Sequence, residues 1–415
     1  MHAPSRAGRP HAAGRVRRPR TLNTTETPGF VRPIGHLSVQ SARARPPSPL
    51  RTIGPMPQDA ADPKAPQPKL MKAPKGTRDL YPADMLRRRY LTETWRAVSI
   101  RHGFEEIDGP TFEAAELYAV KSGEGILGEL FQAFSGKDPA EVEQVMREGR
   151  APYALRPEFT PTLARMYAAR AKQLPKPTRW FCIPQFFRAE RPQRGRLREF
   201  LQWNVDVIGG EVATAAKSEA ETVALLGECA VEMGFAHSAQ LHVNGAELTL
   251  ETLKRTGFPE DRFREATAHI DLIRKMDREK WLVEAARLGF SDSLISLIAG
   301  GYKISTKDVE QSMGFMGAFA EGSSFRLSLE EFANTLQAMQ FKVPATHDLS
   351  IVRGLAYYTG TVFELLADGE RAIAGGGRYD NLIELFGGPP TPAVGFAMGD
   401  VVLSLLLEDN KLMPG

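Results

Sequence analysis

The stretch RWFCIPQFFRAERPQRGRLREFLQWNVDVIGG, residues 179–210, decides the fold. It opens on an aromatic-rich run, Trp180 to Glu190, that reads as a strand. Arg191 to Gly195 supplies the Pro, Arg and Gly of a turn, and Arg196 to Ile208 reads as a second strand returning on the first. In that second strand Leu197, Leu201, Trp203, Val205 and Val207 share one face; Arg196, Arg198, Phe200, Gln202, Asn204 and Asp206 share the other. An antiparallel sheet commonly buries one face and leaves the other solvated, which accounts for alternation as such. The choice of groups needs more. Several arginines, an amide and a carboxylate stand in line, with Arg188 and Glu190 on the neighbouring strand. Such a face suits a polyphosphate at one end, gripped by forked guanidinium groups, and a small polar zwitterion at the other.

Outward from this hairpin, residues 84–102 are predicted as a helix. Leu86, Tyr90, Leu91, Trp95 and Val98 recur at three- and four-residue steps, and Gly103 ends it. Asp138–Glu148 is charged and reads as a surface loop with a short helix. Pro161 to Arg170 reads as another helix, with Thr160 as N-cap and Pro161 at the first helical position. Just before it, Leu155 to Thr160 offers a carboxylate, Glu158, and a hydroxyl, which an ordinary cap would also explain. Val352 to Glu364 is β-rich, and a structural hairpin with its tyrosines on the core would account for it. Ala374 to Asp380 carries three successive glycines, either a turn or a place where backbone approaches a ligand closely. It lacks the Gly-Lys-Ser/Thr ending of a phosphate-cradling P-loop. No internal repeat stands out.

With 415 residues, 42% hydrophobic and 25% charged, the chain has room for two or more domains and the composition of a globular protein, not of a fibrous or disordered one. Its two cysteines, Cys182 and Cys229, build neither a disulfide framework nor a four-ligand zinc site, and they suit a reducing cytosol. No apolar run approaches the roughly 18 residues of a membrane span. Charge is uneven: residues 1–55 hold ten Arg, no Lys and one acid, Glu26, so the remainder is net negative. Residues 1–70, rich in Pro, Arg, Ala and Ser without periodicity, read as a disordered leader. A flexible basic tail, an organellar targeting segment or a start codon placed too far upstream of Met56 or Met71 would each give that composition.

Together these segments resemble the histidyl-tRNA synthetase family. The likeness rests on Lys75-Gly76-Thr77-Arg78-Asp79, on Arg156-Pro157-Glu158, and on Phe187 to Gln193 followed by Gly195-Arg196 and Gln202. Val352 to Glu364 and Gly375 to Asp380 look like the two histidine-specific signatures, and Pro392 to Gly399 resembles the third class II motif. The likeness covers about residues 72–245 and 345–410 and keeps the family's order. It implies an α+β class II catalytic fold, an antiparallel sheet flanked by helices and usually dimeric. Residues 71–245 and 345–415 would be the two parts of the core. Residues 246–344, helical in pattern (Leu250, Leu253; Leu329, Phe332, Leu336), would be an insertion.

Carried over by position, the resemblance implies that Glu158 and Thr160 hold the substrate's ammonium group. Gln202 would contact its carboxylate, and Asp206, Tyr357, Tyr358 and Tyr379 would surround its imidazole. Arg188 would grip the α-phosphate of ATP, Glu190 and Arg196 would help hold the nucleotide, and Arg353 would stabilise the pentacovalent α-phosphate. ATP with Mg²⁺, histidine and histidine tRNA are the implied ligands, a cytoplasmic homodimer the implied state, and no residue is assigned to a resident metal. Three positions depart from the family: Gly399 is followed by Asp400-Val401-Val402 where Glu-Arg is usual, Ala356 stands where many members have Asp, and Phe159 where Gly is frequent. The anticodon-binding domain expected after the third motif is not in the 415 residues, which run about sixteen past Gly399. That makes the regulatory subunit of ATP phosphoribosyltransferase, a non-catalytic histidine sensor with the same core, the alternative reading, and a histidine-binding paralogue without a partner the blandest one. Keeping Arg188, Arg196 and Arg353 together favours the ligase, since clustered guanidinium groups repel one another unless a polyanion is bound.

Overall fold

The computed structural model describes residues 71–122, 124–211, 214–299, 304–305, 324–352, 357–367 and 372–414. The leader at 1–70 and four of the signature positions, 353–356 with Arg353 and Ala356 among them, lie outside them. The described strands are β1 (Glu105–Glu106), β2 (Phe112–Ala114), β3 (Gln132–Ala133), β4 (Tyr153–Leu155), β5 (Thr178–Cys182), β6 (Gln185–Phe187), β7 (Glu199–Ile208), β8 (Ala239–Gly245), β9 (Ile304–Ser305), β10 (Ala345–His347), β11 (Thr361–Ala367), β12 (Ala374–Arg378) and β13 (Ala393–Gly399). Ten of them form one sheet in the order β1-β5-β7-β13-β12-β11-β8-β10-β9, with β6 pairing to β7; β2, β4 and β3 form a smaller sheet. From β5 to β8 the main sheet is antiparallel, as expected. The pairings of β1 with β5 and β8 with β10 are parallel, so the sheet as a whole is mixed.

The deciding hairpin is present with altered boundaries. The aromatic run is two strands, β5 and β6, interrupted at Ile183-Pro184, because proline has no N–H to give to a ladder. The second strand begins at Glu199, and an isolated bridge between Gln193 and Arg196 closes the turn before it. The odd-numbered face of β7 is buried as its alternation requires: Trp203, Val205 and Val207 enter the main core. Trp203 stacks on Trp95 with ring centroids 6.0 Å apart, meets Phe396 edge-on, and donates its indole N–H to Ser99 at 2.9 Å. A buried indole of this size contributes about 4–6 kcal/mol of apolar burial, so truncating Trp203 to Ala costs about 3–5 kcal/mol.

Helix α1 (Pro82–Arg101) covers that face. Proline fits its first turn, where an N–H would be orphaned anyway, the Tyr81 N–H is satisfied by Asp84 at 3.0 Å, and Gly103 ends it at φ +76°. Its buried stripe is Leu91, Trp95 and Val98 with Thr94 and Ser99; Leu86, expected in the stripe, is 61% exposed one turn too early to reach the sheet. Helix α2 spans Ala115–Ser122, and α3 (Pro139–Glu148) is capped by Asp138, which accepts the Ala140 N–H at 2.9 Å. Helix α4 is Thr160–Arg170, with Phe159 at the cap position. Thr160 is therefore the first helical residue and not the N-cap. Helix α5 (Ala215–Glu232) runs beside α1 under the sheet, joined by the helices Ser324–Ala338 and Asp400–Asp409.

Between β8 and β9 the helices Ala246–Arg255, Phe263–Ile270, Arg278–Leu288 and Asp292–Ala299 gather around Leu253, Trp281, Phe290 and Leu294. Phe332 and Leu336, later in the same stretch, belong to the core under the main sheet. Among the described residues the other face of the sheet is only partly covered, by α4 and the turn after β12, and there the cleft opens.

Candidate active site

Cross-strand register builds the floor of this cleft. Asp206 pairs with Gly395, then Gly377, Val362 and Asn244 in one row; two residues along, Asn204 pairs with Ala397, Gly375, Glu364 and His242. Opposed residues share a face, so the carboxyl, amide and imidazole groups rise from the same side around a centre of glycine and alanine. Small residues there leave room for a ligand against the backbone. The resulting cavity encloses about 1660 Å³, ample for an amino acid together with a nucleotide.

Glu158, Thr160, Arg188, Arg196, Gln202, Asp206, Tyr357, Tyr358 and Tyr379 all line it, on segments as far apart in sequence as α4 and the turn after β12. At one end the Tyr379 phenol donates to Asp206 Oδ1. Burial pushes the Asp206 carboxyl up to about 7, offset in part by that hydrogen bond and by the charge of Lys121. Burial beside the Asp206 carboxylate raises the Tyr379 hydroxyl well above its usual range, so it remains a donor. Tyr357 and Tyr358 pack ring against ring nearby, 4.3 Å between centroids.

Another part of the lining is cationic. Arg188 lies over the Phe200 ring at 4.9 Å and donates to the Pro157 carbonyl at 3.1 Å, which fixes its guanidinium relative to Glu158. Arg196 pairs with Glu190. Glu190, expected to face the cleft, is not part of its lining, whereas its partner Arg196 is. Leu197, expected on the core face, does line it, since regular alternation begins only at Glu199. Val401 and Val402, where the resemblance would have Glu-Arg, also line it, while Asp400 turns away to accept the Leu201 N–H at 2.9 Å and to pair with Arg78 at 2.6 Å. The opening motif is thereby tied to the last helix.

Three features escaped the sequence reading. Lys121 on α2, with a side chain 5% exposed, pairs with Glu158 at 2.5 Å and sits 4.2 Å from the Tyr357 ring centre. A single lysine on a short helix looks like any solvated charge, so nothing in the pattern could have flagged it. Glu364, the last residue of the Val352–Glu364 segment, lines the cavity, and its place in the β11 alternation is the available signal. Where β8 borders the cavity, His242 contacts Asp348 at 2.7 Å, Arg274 pairs with the same carboxylate, and Ser350 donates to it through backbone and hydroxyl at 2.8 and 2.6 Å. Burial alone would raise the Asp348 carboxyl, but these donors hold it well below the usual carboxylate range. Among the described residues no group of three or more His, Cys, Asp or Glu side chains could hold a metal ion. No described helix is long and apolar enough to cross a membrane.

Residues 76–400 match the family model described as histidyl-tRNA synthetase. The chain is 38% identical over 345 residues to the histidine–tRNA ligase of Opitutus terrae, covering 82% of this chain and 75% of that one. It is 37% identical to the chloroplastic/mitochondrial histidine–tRNA ligase of Arabidopsis thaliana, covering 82% and 67%. Its fold matches the crystal structure of histidyl-tRNA synthetase from Nostoc with a TM-score of 0.67 at 24% identity, over 84% of this chain and 77% of that one. These relatives are ligases, so the regulatory-subunit alternative is not favoured. Sequence, fold and cleft agree that the chain belongs to the histidyl-tRNA synthetase family, class II ligases that use ATP to join histidine to its tRNA.

Proposed function

We propose that this single cleft holds histidine at the Asp206 end and ATP along its arginines, in position for adenylation. The observation that carries the reading is the shared floor of β7, β13, β12 and β11, which supports one ligand spanning both ends. Glu158 and Thr160 take the ammonium group and Gln202 the carboxylate. Asp206, with Tyr357, Tyr358 and Tyr379, takes the imidazole. Pairing both ring nitrogens makes selection steep, because a side chain lacking either would leave a buried polar group unsatisfied.

The carboxylate oxygen of histidine then attacks the α-phosphorus of ATP, forming the mixed anhydride as pyrophosphate leaves. Two anions meet in this step, so fixed positive charge lowers its barrier most. Arg188 supplies it at the α-phosphate, Arg196 at the nucleotide with Glu190 holding its guanidinium, and Arg353 at the pentacovalent centre. Mg²⁺ travels with ATP as part of the substrate; it binds mainly through phosphates, waters and one or two carboxylates, so a dedicated protein cage is not required. In the second step a terminal hydroxyl of histidine tRNA displaces AMP. On the resemblance alone we assign 71–245 and 345–415 to the catalytic core and 246–344 to an insertion, and a cytoplasmic homodimer to the working state.

A joined site makes a thermodynamic prediction. A non-hydrolysable sulfamoyl analogue of histidyl-adenylate should bind at least about 10³-fold more tightly than histidine or ATP alone by calorimetry, since intermediate analogues gain the interactions of both halves. Affinity no better than that of ATP would show that the two ends do not serve one ligand.

A further inference from the structure

The ammonium group of Lys121 is almost fully enclosed, and its partners are two side chains that face the cleft from different segments. One is the Glu158 carboxylate just before α4, gripped through Oε2 at 2.5 Å; the other is the ring of Tyr357, 4.2 Å away. Lys121 is not itself part of the cavity lining, whereas Glu158 and Tyr357 are. The lysine therefore stands behind the wall and acts on its cleft side only through them. We propose that Lys121 is a positioning residue for the amino-acid pocket: by holding Glu158 Oε2 it turns Oε1 toward the cavity as the acceptor for the substrate's ammonium group. The inference rests on the reading of Glu158 as that acceptor.

An enclosed ammonium is costly unless paired, and Glu158 with the Tyr357 π-face supplies the pairing. Burial pulls the Lys121 pKa down, but the charge and hydrogen bond of the Glu158 carboxylate help to outweigh it and leave the pKa raised, so the side chain remains cationic throughout the physiological range. Without it Glu158, whose side chain is 28% exposed, could swing toward water, and the pocket would lose its ammonium acceptor while keeping its imidazole contacts. The expected signature is thus selective for one part of the ligand.

Histidine-dependent exchange of pyrophosphate into ATP reads it out, with 3-(imidazolyl)propionate, which lacks the ammonium group, as competitor. Lys121→Met should raise the KM for histidine about 10- to 100-fold, change kcat less than about threefold, and leave inhibition by imidazolylpropionate unchanged. Lys121→Arg should recover most of the histidine KM. Equal weakening of histidine and imidazolylpropionate, or an unchanged histidine KM, overturns the inference. Glu158→Gln in the parental chain separates the two layers: if it does not discriminate between the two ligands, the reading of Glu158 fails and this inference with it. If Glu158→Gln discriminates and Lys121→Met does not, only the role of Lys121 fails. The double variant Lys121→Met/Glu158→Gln leaves no unpaired buried charge and so guards against a folding defect. It should be no worse for histidine than Glu158→Gln alone, and additive losses would contradict action through Glu158.

Discussion

Tyr379 reaches Asp206 across the strand between them, and Gly395 on that strand is what lets the carboxyl lie there. A Cβ built on Gly395 would fall 2.1 Å from Asp206 Oδ1 and 2.7 Å from the Val205 carbonyl. Neither neighbour can yield freely, because one is backbone and the other is held by the phenol. Gly395→Ala should therefore cost about 1–3 kcal/mol of stability through overpacking and displace Asp206 from the imidazole position. Thermal melting together with the histidine KM checks this; a variant with parental values of both would mean that the floor has slack.

Asp206 also gives the fold a definite response to pH. Its folded carboxyl titrates at about 7, against about 3.9 for an unfolded aspartate, so the folded chain holds the proton longer. Stability from this group is then undiminished below about pH 4 and falls as pH rises toward 7, by at most about 4 kcal/mol. Asp206→Asn removes that slope. The variant should gain on the parent progressively between pH 4 and 7 in urea unfolding, and a stability difference constant across that window would exclude a raised Asp206.

The joint between the first motif and the last helix should be a stability determinant without touching the chemistry. Asp400 satisfies the Leu201 N–H and the Arg78 guanidinium at once. Asp400→Ala leaves that buried N–H without its acceptor and should cost about 2–3 kcal/mol, read as a lower urea midpoint at unchanged slope. An unchanged midpoint would mean that the pair contributes nothing.

Much of the lining of the candidate site is legible in the sequence, and unevenly so for physical reasons. Alternation in Arg196 to Asp206 put Gln202 and Asp206 on one face because strand period is rigid; the same rule failed at Leu197, which precedes regular pairing. Pro184 stands in the aromatic run, yet the run reads as one strand because its apolar residues mask the break. Thr160 looked like a cap by residue type, while the chain uses buried Phe159, whose ring enters the core beneath α4. Lys121 and the cluster of His242, Arg274 and Asp348 depend on contacts between segments distant in sequence, which local patterns cannot encode.

Arg353 carries the sharpest kinetic expectation. Removing one preorganised charge from a phosphoryl centre usually costs about 10²–10³ in rate. Arg353→Ala should lower kcat for pyrophosphate exchange by that factor while leaving histidine binding, measured by calorimetry, within about threefold of the parent. Exchange at the parental rate would remove Arg353 from the chemistry.

The most direct measurement is the exchange reaction on the unmodified chain: labelled pyrophosphate, ATP, Mg²⁺ and each amino acid in turn, with no tRNA present. Label should enter ATP with histidine and with no other amino acid, and the signal should vanish when Mg²⁺ is chelated. Incorporation that is independent of histidine, or none at all from a folded chain that still binds histidine, would contradict the assignment of adenylation to this cleft.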